Sequence, residues 1–166
     1  MRFCESPTLV LGVVAALACQ NESTGPSTQL LPALPPTAVS GPATGQAGQT
    51  AQVSVTAQNI GAGAAPSGWL GEIRLSADQV CQSSVVDPDA LVYTEAAALS
   101  PGASTTSTRT ATIPGSIPAG TYYWCVILDP AGGTIAESDE GNNTRIGNQI
   151  TISAAVLLPD LTPTAV

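Results

Sequence analysis

Apolar and polar positions alternate with a period of two along most of residues 50–152, the signature of half-buried strands. In TAQVSVTAQN (50–59), Val53, Val55 and Ala57 fall on one face, with Ser54, Thr56 and Gln58 on the other. WLGEIRLSAD (69–78) repeats the pattern, sending Ile73 and Leu75 inward and Glu72, Arg74 and Ser76 outward. ALVY (90–93) reads as a short edge strand and TTSTRTATI (105–113) as a polar, Thr-rich strand. TYYWCVILD (121–129) is the most hydrophobic run and suits a sheet centre, while TRIGNQITI (144–152) places Ile146, Ile150 and Ile152 on one face. Turn signals separate these runs: NIGAGAAPSG, LSPGAS, IPGSIPAG and DPAGG. Strands at this spacing predict an all-β, antiparallel β-sandwich of about seven strands. Only EAAAL (95–99) favours helix, and it is too short to change that class.

An internal repeat sets the boundaries. LLPALPPTAV (30–39) recurs as LLPDLTPTAV (157–166), with eight identities in ten positions. One domain is therefore expected over 30–155, and 156–166 reads as the start of a second, truncated repeat in a tandem array. The alternative is a C-terminal edge strand that mimics the first. A prolyl opening makes a stiff joint that feeds an edge strand.

The N-terminus has a different pattern. Residues 1–18 hold Arg2 and then an apolar run from Leu9 to Ala18, too short for a stable membrane anchor and suited to a signal peptide. The run ends in Ala16-Leu17-Ala18-Cys19, readable as an ordinary secretory cleavage site or as a bacterial lipobox with Cys19 lipidated. Residues 19–29 follow as a polar, flexible tether. Export places the chain on the cell surface, as an outer-membrane lipoprotein or as a secreted protein. Its contact with membrane would be through that N-terminal lipid alone.

Composition excludes several functions. The chain has no His and no Lys, so Ser-His-Asp, Cys-His, His-zinc and Schiff-base chemistries are out of reach within it. Four arginines against a net charge of −8 cannot gather the cationic face that nucleic acid requires. In an oxidising compartment Cys81 and Cys125 form an even pair and predict a disulfide. Trp124 and Trp69 read as core residues, with ring stacking on a sugar as the alternative.

The motifs VSVTAQNIGAG (53–63), LSAD (75–78), LSPG (99–102), GTYYWCVILDP (120–130), ESDEGNN (137–143) and PDL (159–161) together resemble the CARDB domain, the "cell adhesion related domain found in bacteria". That resemblance covers nearly all of 30–155 and implies an immunoglobulin-like sandwich on extracellular proteins, often in tandem. It brings no catalytic residues and no cofactor. Ala33 stands where the second copy has Asp160, a departure from the family's opening.

ESDEGNN gathers oxygen donors at short spacing. Glu137, Asp139, Glu140 and Asn142 form a candidate calcium set, because hard cations take six to eight oxygens. The same residues also suit a tight turn held by side-chain to backbone hydrogen bonds, with no ion. The expected function is a non-catalytic surface module that binds an extracellular protein or glycan through its loops. The alternatives are a spacer or stalk presenting a downstream domain, and a weak calcium-binding module.

Overall fold

In a computed structural model, residues 29–82, 87–130 and 133–155 are described. The proposed signal peptide, Cys19, most of the tether and the second repeat lie outside them. Eight strands form two sheets and the described residues contain no helix: β1 (Pro36–Ser40), β2 (Thr44–Gln46), β3 (Thr50–Gln58), β4 (Leu70–Ser76), β5 (Asp89–Thr94), β6 (Ser104–Thr112), β7 (Gly120–Leu128) and β8 (Thr144–Ser153). One sheet runs β1-β3-β6 and the other β2-β8-β7-β4-β5. The fold is an immunoglobulin-like β-sandwich, and the apolar β7 occupies the centre of the larger sheet, as its sequence predicts.

The expected seven strands become eight because the first is split between sheets. β1 pairs antiparallel with β3, whereas β2 pairs parallel with β8 in the opposite sheet. Gly41-Pro42-Ala43 carries the crossing, and the Trp124 indole lies beneath it, its Nε1–H donating to the Pro42 carbonyl at 3.1 Å. Trp124 and Trp69 are both buried, and Trp69 donates to the Ala97 carbonyl. With both indoles inside and hydrogen-bonded, neither offers a sugar-stacking face. The core they join comprises Leu34, Val53, Val55, Ile73, Leu75, Val126, Leu128, Ile150 and Ile152, among others. Each such side chain removed from water is worth about 1.5–3 kcal/mol.

Two sequence expectations fail for local reasons. Ile146 does not share the face of Ile150 and Ile152. Tyr123 pairs with Gln149, but Cys125 pairs with Ile146, so β8 carries one extra residue between them. A single inserted residue exchanges the two faces. Ile146 therefore sits on the Cys125 side, away from the core. Gly147 and Asn148 explain the bulge: a Cβ on Gly147 would collide with the Val39 carbonyl, and the Asn148 amide both accepts from the Gly41 N–H and donates to the Gly41 carbonyl.

Arg74 and Ser76 are the second failure. They do point away from the core, yet both are buried. The segment after β4 folds back over them, tied by the Cys81–Cys125 disulfide to the outer side of β7. Arg74 ion-pairs with Glu72 at 2.9 Å and Asp89 at 2.7 Å and donates to the Asp87 carbonyl. The Ser76 hydroxyl bonds Asp78 and the Val80 carbonyl.

At the side of the sandwich, β5 meets the inner face of β6. Arg109 reaches across to Glu95 at 2.8 Å and lies 4.6 Å over the Tyr93 ring. Burial, with Glu95 beside it, pushes the Tyr93 phenol up to about 12. This polar seal explains why the Thr-rich β6 tolerates so few apolar inward residues.

Candidate functional site

The sequence motifs converge on the end of the sandwich where the chain enters. Here the opening segment 30–35 crosses between two loops, and its contacts run mainly through its backbone. Asn59 is fully buried and makes four bonds: its Oδ1 accepts from Ala33 and Gly61, and its Nδ2 donates to the Gly63 and Leu99 carbonyls. Gly61 is required beside it, because a Cβ there would overlap the Pro32 backbone. The N-x-G motif is thus a socket for the domain's own opening segment.

The acidic turn grips the same segment from the other side. Glu137 Oε2 accepts the Leu34 N–H, while the Ser138 N–H and hydroxyl both donate to the Pro32 carbonyl. Within the turn, Glu140 Oε1 accepts the Glu137 N–H at 2.9 Å, and Asp139 Oδ1 accepts the Gly141 N–H at 2.9 Å. Asp139 Oδ2 accepts from Asn142. The four proposed calcium ligands therefore share one turn, but the three carboxylates accept from separate protein donors and the Asn142 amide is itself one of those donors. Among the described residues, no three His, Cys, Asp or Glu side chains converge as a metal site.

Asn143 and Asp129 complete this end. Asn143 is buried and donates to Glu137 Oε1. Asp129 is buried with a positive φ of 41°, its carboxylate capping the Thr134 and Ile135 N–H groups. Asp129 and Glu140 both bear on Glu137. Burial first, then their negative charges, raise the Glu137 carboxyl above its ordinary value against the lowering pull of the Leu34 N–H. A hollow of about 710 Å³ opens beside these groups, lined by Cys81, Ile127, Asp129, Pro130, Ile135 and Asn143 among others. Its lining mixes Ile127, Pro130, Ile135 and Ala136 with the polar Thr134, Glu140 and Asn143, and the Thr134 hydroxyl donates to Asp129 Oδ1 at 2.9 Å.

Sequence reasoning found the acidic turn but missed its closest partners. Asn59 stood inside a quoted motif without an assigned role, and its partners include Ala33, 26 residues earlier, and Leu99, 40 residues later.

The sequence profile of the CARDB family matches residues 31–146. The chain belongs to the CARDB family. CARDB domains form a non-catalytic, adhesion-related bacterial module family. Among solved structures, a CARDB domain from Pyrococcus furiosus, crystallised in complex with di-metal ions, is 19% identical, with a TM-score of 0.53; the match covers 78% of this chain and 100% of that one. A solution structure of that domain gives 19% identity and a TM-score of 0.51 over 75% and 97%. At these identities the likeness speaks to the fold alone. A β-glucosidase from Listeria innocua in complex with glucose matches at 16% identity and a TM-score of 0.42; the match covers 77% of this chain and 17% of the enzyme. No curated protein matches the chain.

Proposed function

We propose that this CARDB domain is an exported, non-catalytic spacer that holds neighbouring domains apart in a tandem array on the bacterial surface. The observation that carries the reading is the direction of the chain. The opening segment docks at the end of the sandwich bearing Asn59 and the acidic turn, and β1 leads away from it. β8 ends at the other pole, where Ser153 pairs with Gln46. Entry and exit are separated by the strand length, about 30 Å for nine residues. Domains joined this way line up end to end. In the sequence the second opening, LLPDLTPTAV (157–166), follows β8 by three residues, in the order expected of a further unit in such an array.

The surface agrees with a spacer. Among the described residues, the tryptophans and Tyr93 are buried, Tyr122 and Tyr123 are partly covered, and the exposed large apolar residues Leu30, Ile60, Val80 and Val92 are all aliphatic. The Cys81–Cys125 disulfide supports an oxidising, extracellular setting. The test is saturable binding of the labelled chain to intact source cells, extracellular proteins and glycans. A spacer shows none up to about 100 µM, well above ordinary adhesion affinities. Saturable binding overturns this reading in favour of adhesion through the loops.

Cation binding at the acidic turn is a second reading. It is favoured by the Asn142 and Asn143 side-chain carbonyls, both buried without a partner. A calcium-dependent rise in melting temperature, lost in Asn143→Ala, would establish it, and a flat calcium titration would end it.

A further inference from the structure

Two sheets have four edges, and in this domain they are not alike. β2 offers three residues. β1 has five, begins with Pro36 and is interrupted by a register shift. β5 is broken by a register shift opposite Arg74 and carries the charge of Asp89. Short length, proline, bulges and charge are the ordinary means of blunting a strand edge. β6 uses none of them. Its nine residues pair with β3 without a break, from Ser104↔Gln58 to Thr112↔Thr50, and with no other described strand. The strand contains no proline and no lysine, and its one charge, Arg109, turns inward to Glu95.

The chemistry of this edge favours one partner. Ser104, Thr106, Thr108, Thr110 and Thr112 are the outward residues, all exposed and uncharged. Side chains behind them are held by cross-strand bonds, Gln52 to Thr110 and Thr56 to Thr106, both at 2.8 Å. A chain of net charge −8 repels its own copies nearly everywhere. At β6 two copies can approach without opposing a single uncompensated charge. Antiparallel pairing about Thr108 would set Thr108 against Thr108, Thr106 against Thr110 and Ser104 against Thr112. Hydroxyl pairs of this kind stabilise neighbouring strands.

We infer that β6 is an interaction edge whose partner is the β6 of a second copy, joining two three-stranded sheets into one of six strands across a two-fold axis at Thr108. Such a contact is small and polar and belongs with transient interfaces. It links neighbouring molecules sideways, perpendicular to the end-to-end array, and stands whether or not the domain is a spacer.

Sedimentation equilibrium of the full chain tests it. The mass should rise from 16.6 kDa toward twice that value between about 10 µM and 1 mM, and added salt should shift the rise to lower concentration. Thr108→Lys and Thr108→Glu each place like charges face to face and should abolish the rise while leaving the melting temperature unchanged. An equimolar mixture of the two should restore association at least as tight as that of the wild type. A wild-type chain monomeric at 1 mM overturns the inference. So does a dimer indifferent to both substitutions, which would place the contact on another surface, or a mixture that fails to associate.

Discussion

The two sheets of this domain share one core but finish their outer faces in opposite ways. On the five-stranded sheet, the segment after β4 folds over the strands, the disulfide ties it to β7, and Arg74, Ser76 and Asp87 are buried beneath it. On the three-stranded sheet, the outer faces of β3 and β6 are Ser, Thr and Gln throughout, with only partial cover. The first surface is interior structure even though it lies outside the core. The second is left to solvent or to a neighbour.

That contrast predicts graded responses to substitution. The largest is expected for Trp124→Ala, which empties the volume beneath the sheet crossing and removes the bond to the Pro42 carbonyl. A loss of about 3–5 kcal/mol, read from urea unfolding, is the expected outcome, and a loss below 1 kcal/mol would show that the crossing does not depend on the indole. Removing the disulfide by Cys81→Ser with Cys125→Ser should cost about 2–4 kcal/mol. Because the bond ties the segment after β4 to β7, hydrogen exchange should rise first in residues 77–82 and 87–89 and not in β3 or β6.

Arg74→Met sharpens the comparison further. It removes the ion pairs to Glu72 and Asp89 and the bond to the Asp87 carbonyl, and a loss of about 2 kcal/mol is expected. Thr110→Ala on the bare sheet removes one exposed bond to Gln52 and should change stability by less than about 0.5 kcal/mol. Equal losses at Arg74 and Thr110 would erase the distinction between the two faces.

The entry pole makes a prediction of opposite sign. Burial raises the Glu137 carboxyl in the folded state above its unfolded value near 4.5. The folded state therefore holds a proton more tightly than the unfolded one. The stability this provides is complete below the unfolded pKa and is lost as pH rises through the folded one. Glu137→Gln should flatten that decline. It keeps an acceptor for the Leu34 N–H, and its new amide can donate to the unpartnered Asn143 carbonyl once that side chain turns over. The variant's urea midpoint should then be at least equal to wild type at pH 7, and a clear loss there would mean that the charge itself holds the opening segment.

Much of this was legible in the chain. Val53, Val55 and Ala57 alternate without interruption, and β3 pairs without a break on its β6 side, so period and face agree. The cysteine pair was legible because Cys81 and Cys125 remain once Cys4 is read as part of a signal peptide and Cys19 as lipidated. Ile146 was misplaced because period-two counting has no way to register an inserted residue. The bulge exists because Gly147 must pass close to Val39, which is 108 residues earlier. Arg74 and Ser76 take the outward face expected of them, but their burial was not legible, because alternation reports which face a residue takes and not what lies above it.

Local sequence thus determined most of the strands and their core faces, the turns between them and the family to which the chain belongs, because these depend on neighbours a few residues away. Tertiary structure alone decided which edge stays open, how the acidic turn closes on the opening segment, and that the outer side of one sheet becomes buried. Those outcomes rest on contacts between residues tens to a hundred positions apart, and no local period encodes them.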